Sequence, residues 1–199
     1  MEVKRLAFPN YESDTSTLVK MYLGGEFGTK PEDVNAYASS TFYAADRIGS
    51  FLKEWKDDYE AGKFILCDRY TTSNAVHQAG KLDGEEKDKY LQWLFDYEYR
   101  LLGLPKPDLV FFLDVPPEVS RELMKNRNNK ITGESEKDIH ESNADYITKS
   151  YENALYVAKK CGWNVIECVK DGKLRSIEDI NDEIYNQLLI HNYISFENR

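Results

Sequence analysis

Residues 64–78 read FILCDRYTTSNAVHQ: apolar residues run straight into Asp68 and Arg69, and a row of small polar side chains follows. An acid and a base at the end of a buried strand suit the capture of a small charged ligand. If 73–78 is helical, Ser73, Asn74, His77 and Gln78 share one face at i, i+1, i+4 and i+5. Such a face could read the edge of a flat polar ring. Upstream, Tyr43 and Arg47 stand one helical turn apart, so an aromatic platform and a cation point the same way. Together these residues suit an aromatic base carrying an anionic group. Arginine is the usual partner of phosphate, because its planar fork engages two oxygens at once.

Further along, Lys125, Arg127, Lys130 and Lys137 flank a glycine-containing polar loop. A basic loop of this kind can close over polyphosphate and exclude water. Asp138 and Glu141 follow it. With Asp68 they are candidates for holding Mg²⁺ through waters, since this ion takes few carboxylates plus substrate phosphates. Each feature also has a plainer reading. An Asp-Arg pair can cap a helix, His77 can be a packed histidine, and the basic stretch can be a solvated loop. Asp114, after the apolar run VFFL, reads as the cap of the next helix.

These residues need elements to position them. VKRLAF (3–8) reads as a strand ended by Pro9, and 14–23 as a helix after a Ser13 or Asp14 cap. Residues 31–60 carry apolar side chains at helical spacing, and KFILCD (63–68) is a buried strand. A helix follows over 73–79, then an amphipathic one over 82–103 closed by Gly103. DLVFFLDV (108–115) is apolar enough for a central parallel strand, and a helix over 116–127 opens with prolines. A helix (140–162), a strand (163–169) and a helix capped by Ser176 (176–190) complete the chain. Strands alternating with helices predict an α/β fold with a parallel sheet covered on both faces. Ligands bind such sheets at the carboxyl ends of the strands, where Asp68 and Arg69 sit.

Length and composition fit one soluble domain: 199 residues, 41% hydrophobic, 31% charged, net charge −9. That charge argues against non-specific binding to nucleic acid or to anionic membrane. The opening MEVKRLAFPNYES lacks a signal-peptide core, and no apolar run approaches a membrane span. Cys67, Cys161 and Cys168 form no CxxC pair and read as buried free thiols of a cytoplasmic protein.

In this order, FPNY, YLGGEFG, STFYAADR, DRYTTSNAVHQ, GLPKPDLVFFLDVPPE and KDIHE closely resemble the thymidylate kinase family, from residue 3 to about residue 190. The resemblance implies a three-layer fold of the P-loop nucleoside-monophosphate kinase type. It implies transfer of the ATP γ-phosphate to thymidylate (dTMP), giving dTDP, with Mg²⁺ and in a homodimer. Phe8 and Pro9 would shape the monophosphate pocket, with Tyr11 near the phosphate. Tyr43 would stack on the base, Arg47 would bond the thymine edge, and Asn74 would bond the base. Asp68 would place Mg²⁺ and phosphates, Arg69 would clamp the acceptor phosphate, and Ser73 and Gln78 would line the pocket. His77 falls where the family often has Tyr or Phe against the deoxyribose, a departure that bears on sugar selectivity. Arg127, Lys130, Lys137 and Asp138 match the lid, with Arg127 and Lys137 catalytic beside Asp68 and Arg69, and Glu141 joins Asp68 as a metal candidate. The family's phosphate cradle, GxxxxGK[ST], has no match in the 199 residues. The expectation is therefore a single domain over 1–199, with a lid over about 125–141, lacking the first strand, P-loop and first helix and inactive alone. Two alternatives stay open: a non-catalytic nucleotide-binding module, and another nucleoside monophosphate kinase.

Overall fold

A computed structural model describes residues 2–124 and 144–194. They divide into two compact units, 2–106 with 144–157 and 107–124 with 158–194.

The first unit is built on a parallel pair, β1 (Val3–Ala7) and β2 (Phe64–Asp68), with Val3 opposite Phe64 and Ala7 opposite Asp68. Strand alternation sends Leu6, Ile65 and Cys67 to one face, where they pack on Phe8, Phe51, Trp55, Tyr70 and Leu104. Val3 and Leu66, on the opposite face, are exposed.

A 3₁₀ turn (Asp14–Ser16), capped by the Ser13 hydroxyl, leads into α1 (Thr17–Leu23). Asn35 caps α2 (Ala36–Ser50) by accepting from Ala38 N at 2.9 Å. The helical spacing of 31–60 hides two irregularities. Pro31–Asp33 is a separate 3₁₀ turn, and a π-helical turn (Phe51–Trp55) joins α2 to α3 (Lys56–Glu60). Helix α4 (Thr71–His77) begins two residues before the expected start. Helix α5 (Gly84–Phe95) runs into a second π-helical turn (Asp96–Leu101), and Gly103, at φ +71°, ends the segment.

The second unit holds α6 (Pro117–Met124) and a parallel pair, β3 (Phe111–Asp114) with β4 (Asn164–Glu167). A small antiparallel pair, β5 (Val169–Lys170) and β6 (Lys173–Leu174), follows. Helix α7 (Ala144–Cys161) precedes β4, and α8 (Ile177–Ile190) closes the chain behind its Ser176 cap. The parallel α/β character holds. The described strands form two separate parallel pairs, each shorter than its apolar run, because the ladder uses only part of the run. The thiols are not uniformly buried. Cys168 is buried and Cys67 half-buried, but Cys161 is exposed. Cys161 is the last residue of α7, between exposed Lys160 and Gly162, so apolar sequence neighbours do not enclose it. Among the described residues, no helix is long and apolar enough to cross a membrane.

Candidate nucleoside and phosphate site

At the end of β2 the backbone turns sharply. Arg69 has φ +64°, the left-handed region that Cβ-bearing residues avoid. Its neighbours hold it there. Phe8 N donates to Asp68 O at 3.0 Å, and buried Tyr70 donates through its hydroxyl to Pro105 O at 3.1 Å. The Tyr70 ring also packs on Phe8 at 5.8 Å and on Trp55 at 6.4 Å. Asp68 and Arg69 themselves are exposed. Local strain held by ordered surroundings is a mark of functional positions.

The turn after β1 is fastened to α2. Asp46 accepts from Asn10 N at 2.9 Å and from the Thr15 hydroxyl at 2.7 Å. Burial raises the Asp46 pKa, against the pull of those two hydrogen bonds. Pro9 and Tyr11 are half-buried in this turn, and Phe8 belongs to the core. Tyr43, half-buried on α2, meets Tyr22 edge-on at 6.3 Å.

Arg47 lies one turn beyond Tyr43 and is almost fully buried. Its Nε is 2.7 Å from Glu98 Oε2 and its Nη2 2.5 Å from Oε1. Thr71 donates to the same carboxylate at 2.6 Å. Burial opposes the Arg47 charge, but the charge and hydrogen bonding of Glu98 outweigh it and raise the guanidinium pKa. Glu98 was absent from the sequence expectations. It sits in an acidic, exposed-looking stretch, and only the π-helical turn and a partner 51 residues away reveal it.

On α4, Ser73 and His77 are half-buried, and Asn74 is 3% exposed. The Asn74 Nδ2 has no hydrogen-bond partner among the described residues. Gln78 departs from the expected shared face. It lies past the end of α4, in the core, and its Oε1 accepts from the buried Ser39 hydroxyl at 2.7 Å. Two side chains of α7, also missed from sequence, fasten this helix. Asn153 Nδ2 donates to Ala75 O at 2.9 Å and Val76 O at 2.6 Å, and the Tyr146 hydroxyl donates to His77 O at 3.1 Å. They answer carbonyls that a helix end leaves without intrahelical partners. The one sequence signal for the pair is their i, i+7 spacing on a helix face. The Tyr146 ring also lies nearly parallel to His77, centroids 6.3 Å apart. Burial, and then the Arg69 charge, push the His77 pKa down to about 3. A neutral His77, with Nε2 3.4 Å from Arg69 Nη1, can accept from that arginine but cannot act as a phosphate-binding cation.

A thymidylate kinase family model matches residues 4–184. The chain belongs to the thymidylate kinase family. The thymidylate kinase of Mycobacterium tuberculosis (strain CDC 1551 / Oshkosh) is 32% identical over 146 residues, 72% of this chain and 65% of that protein. The chain thus spans just under two thirds of that relative's length. The Plasmodium falciparum (isolate 3D7) thymidylate kinase is 28% identical over 188 residues, 94% of this chain and 76% of the relative. A solved thymidylate kinase from Candida albicans matches in fold, with a TM-score of 0.66 and 19% identity over 96% of this chain and 80% of that one. The fold class is that of the P-loop nucleoside-monophosphate kinases.

Thymidylate kinase membership gives the exposed Asp68 carboxylate a chemical context. One exposed carboxylate beside an arginine fits the donor set of Mg²⁺, which completes its shell with phosphates and water. Lys125, Arg127, Lys130, Lys137, Asp138 and Glu141 lie outside the described residues.

Proposed function

We propose that this chain binds thymidylate and serves the transfer of the ATP γ-phosphate to it, giving dTDP, as a cytoplasmic homodimer. One single domain over 1–199, with a basic lid over about 125–141, would carry the site. The observation that carries this reading is the Asn74 amide. A buried N–H donor without a partner costs about 1–3 kcal/mol. A ring carbonyl of a bound base would satisfy it. Arg47 sits one turn past Tyr43 and shares the Glu98 carboxylate with Thr71, one turn before Asn74, so Arg47 and Asn74 would supply donors at the edge of a base stacked on Tyr43. At the other end Arg69 clamps the 5′-phosphate. Mg²⁺, when bound at Asp68, neutralises phosphate charge. Phosphoryl transfer asks the protein mainly for positioning and charge stabilisation, which suits these roles.

A second reading is binding without transfer. It is the reading for these 199 residues acting alone, in which no GxxxxGK[ST] occurs to cradle donor phosphates. Titration calorimetry with thymidylate, deoxyuridylate, deoxycytidylate and deoxyguanylate, followed by turnover with ATP and Mg²⁺, tests both. Thymidylate should bind best, and Asn74→Ala should weaken it about tenfold, the worth of one hydrogen bond. Binding with no turnover supports the second reading. A best ligand other than thymidylate points to a different monophosphate acceptor, and no nucleotide binding overturns both readings.

A further inference from the structure

We propose that Glu98 is a positioning residue that aims Arg47 at the base and makes it a reader of a neutral carbonyl rather than of an anion. The inference rests on the thymidylate reading above. Glu98 holds the guanidinium side-on, through Nε and Nη2. A guanidinium has five N–H donors in one plane. Side-on pairing leaves Nη1 and the outer Nη2 hydrogen uncommitted to Glu98, a second fork in a fixed direction. The side chain has no room to choose another, because both partners are almost fully buried: side-chain exposure is 2% for Arg47 and 0% for Glu98.

The pair also sets the charge around Arg47. An unpaired buried arginine would draw an anion. Balanced by Glu98, Arg47 offers directed N–H dipoles on a neutral background, which suits the uncharged edge of a pyrimidine. The same carboxylate accepts from Thr71, one turn before Asn74, so one group orients donors on both α2 and α4. Its inward aim comes from the π-helical turn. Asp96 and Arg100, in that turn, pair on the exposed side, whereas Glu98 between them points into the core. Such π-turns recur at functional sites.

The test is the ratio of dissociation constants for 5-methyl-deoxycytidylate and thymidylate, which carry an amino group or a carbonyl at C4 and, with it, a lone pair or an N–H at N3. It is measured by calorimetry on the full chain and on Glu98→Gln, Arg47→Lys, Thr71→Val and Thr71→Ser. Glu98→Gln and Arg47→Lys should each lower the ratio about tenfold, the scale of one directed hydrogen bond. Deoxyribose 5-phosphate, which has no base, should bind all variants equally. Thr71→Val should lower the ratio about threefold, and Thr71→Ser should restore it, which reads the same network if Glu98→Gln does not fold. A ratio that falls in Arg47→Lys but holds in Glu98→Gln, or in Thr71→Val if Glu98→Gln does not fold, overturns the positioning role and leaves the thymidylate reading intact. A ratio unmoved in all variants overturns this inference and the base-edge role of Arg47 together. A wild-type chain that binds neither nucleotide overturns the parent reading as well.

Discussion

The two ends of the candidate site are built in opposite ways. At the nucleoside end, Arg47, Glu98, Thr71 and Asn74 are buried, and three of them are tied into one network. At the phosphate end, Asp68 and Arg69 are exposed; the turn is held by the Phe8 N–Asp68 O bond and by Tyr70, and the Arg69 side chain meets His77 at 3.4 Å. The difference follows what each end would bind. A neutral base gives little electrostatic pull, so its donors must be dry and fixed in advance, where each hydrogen bond counts most. A phosphate brings its own charge, and an exposed arginine can close on it without a costly buried charge waiting in the empty site. Stability should therefore live at one end and affinity for charge at the other.

The largest test of that division is Glu98→Ala. It leaves Arg47 buried without its partner and should cost about 3–5 kcal/mol of stability, read from the denaturant midpoint. A cost below about 1 kcal/mol, the size of an exposed pair, would erase the contrast between the two ends. At the opposite end, Arg69→Ala should leave the midpoint nearly unchanged yet weaken thymidylate about thirtyfold, since hydrogen bonds to a charged phosphate are worth about 2 kcal/mol. An equal loss of affinity for the base-free sugar phosphate would place the whole effect at the phosphate.

The sequence made the phosphate end far more legible than the nucleoside end. FILCDRY shows an apolar strand ending in charge, and punctuation of that kind survives without tertiary knowledge, although the strand is buried on one face at most, with Leu66 exposed on the other. Arg47 and Asn74 were also visible as residue types at helical spacing. Their partners were not. Glu98 lies among Asp96, Tyr97 and Arg100 in the amphipathic helix expected over 82–103, and nothing there marks it as a buried partner of Arg47, because the π-helical turn that swings it inward leaves no trace in periodicity. Gln78 looked like part of the α4 face because its burial depends on Ser39, 39 residues earlier. Tyr146 and Asn153 carried no site signal for the same reason: their bonds are to backbone of a distant helix. What chain-local patterns encode was readable, and what long-range pairing decides was not.

His77 joins the two ends, and pH can separate them. Its folded pKa, near 3, lies below the ordinary value of 6.5. Above pH 6.5 the ring is neutral in both folded and unfolded chains and costs nothing. As pH falls from 6.5 toward 3, the unfolded chain takes up the proton and the folded chain does not, so stability is lost by up to about 1.4 kcal/mol per unit. His77→Phe should flatten that part of the profile between pH 6.5 and 5, measured as the shift of the denaturant midpoint. A profile identical to wild type would mean that the ring takes a proton in the folded state, and the neutral link to Arg69 would fall.

The smallest expected effect is at Arg69 itself, and its sign is the informative part. A left-handed backbone costs a Cβ-bearing residue roughly 1 kcal/mol, and glycine does not bear that cost. Arg69→Gly also frees the unfolded chain, which offsets part of the gain. The arginine side chain is exposed, so removing it loses little packing. The net change should be stabilising by about 0–1 kcal/mol, together with the same loss of thymidylate affinity as Arg69→Ala. A variant that is more stable and binds worse would show that this position keeps strain for the sake of where its guanidinium points. A destabilised variant would mean that the arginine supports the fold, and the two ends of the site would then differ less than their exposure suggests.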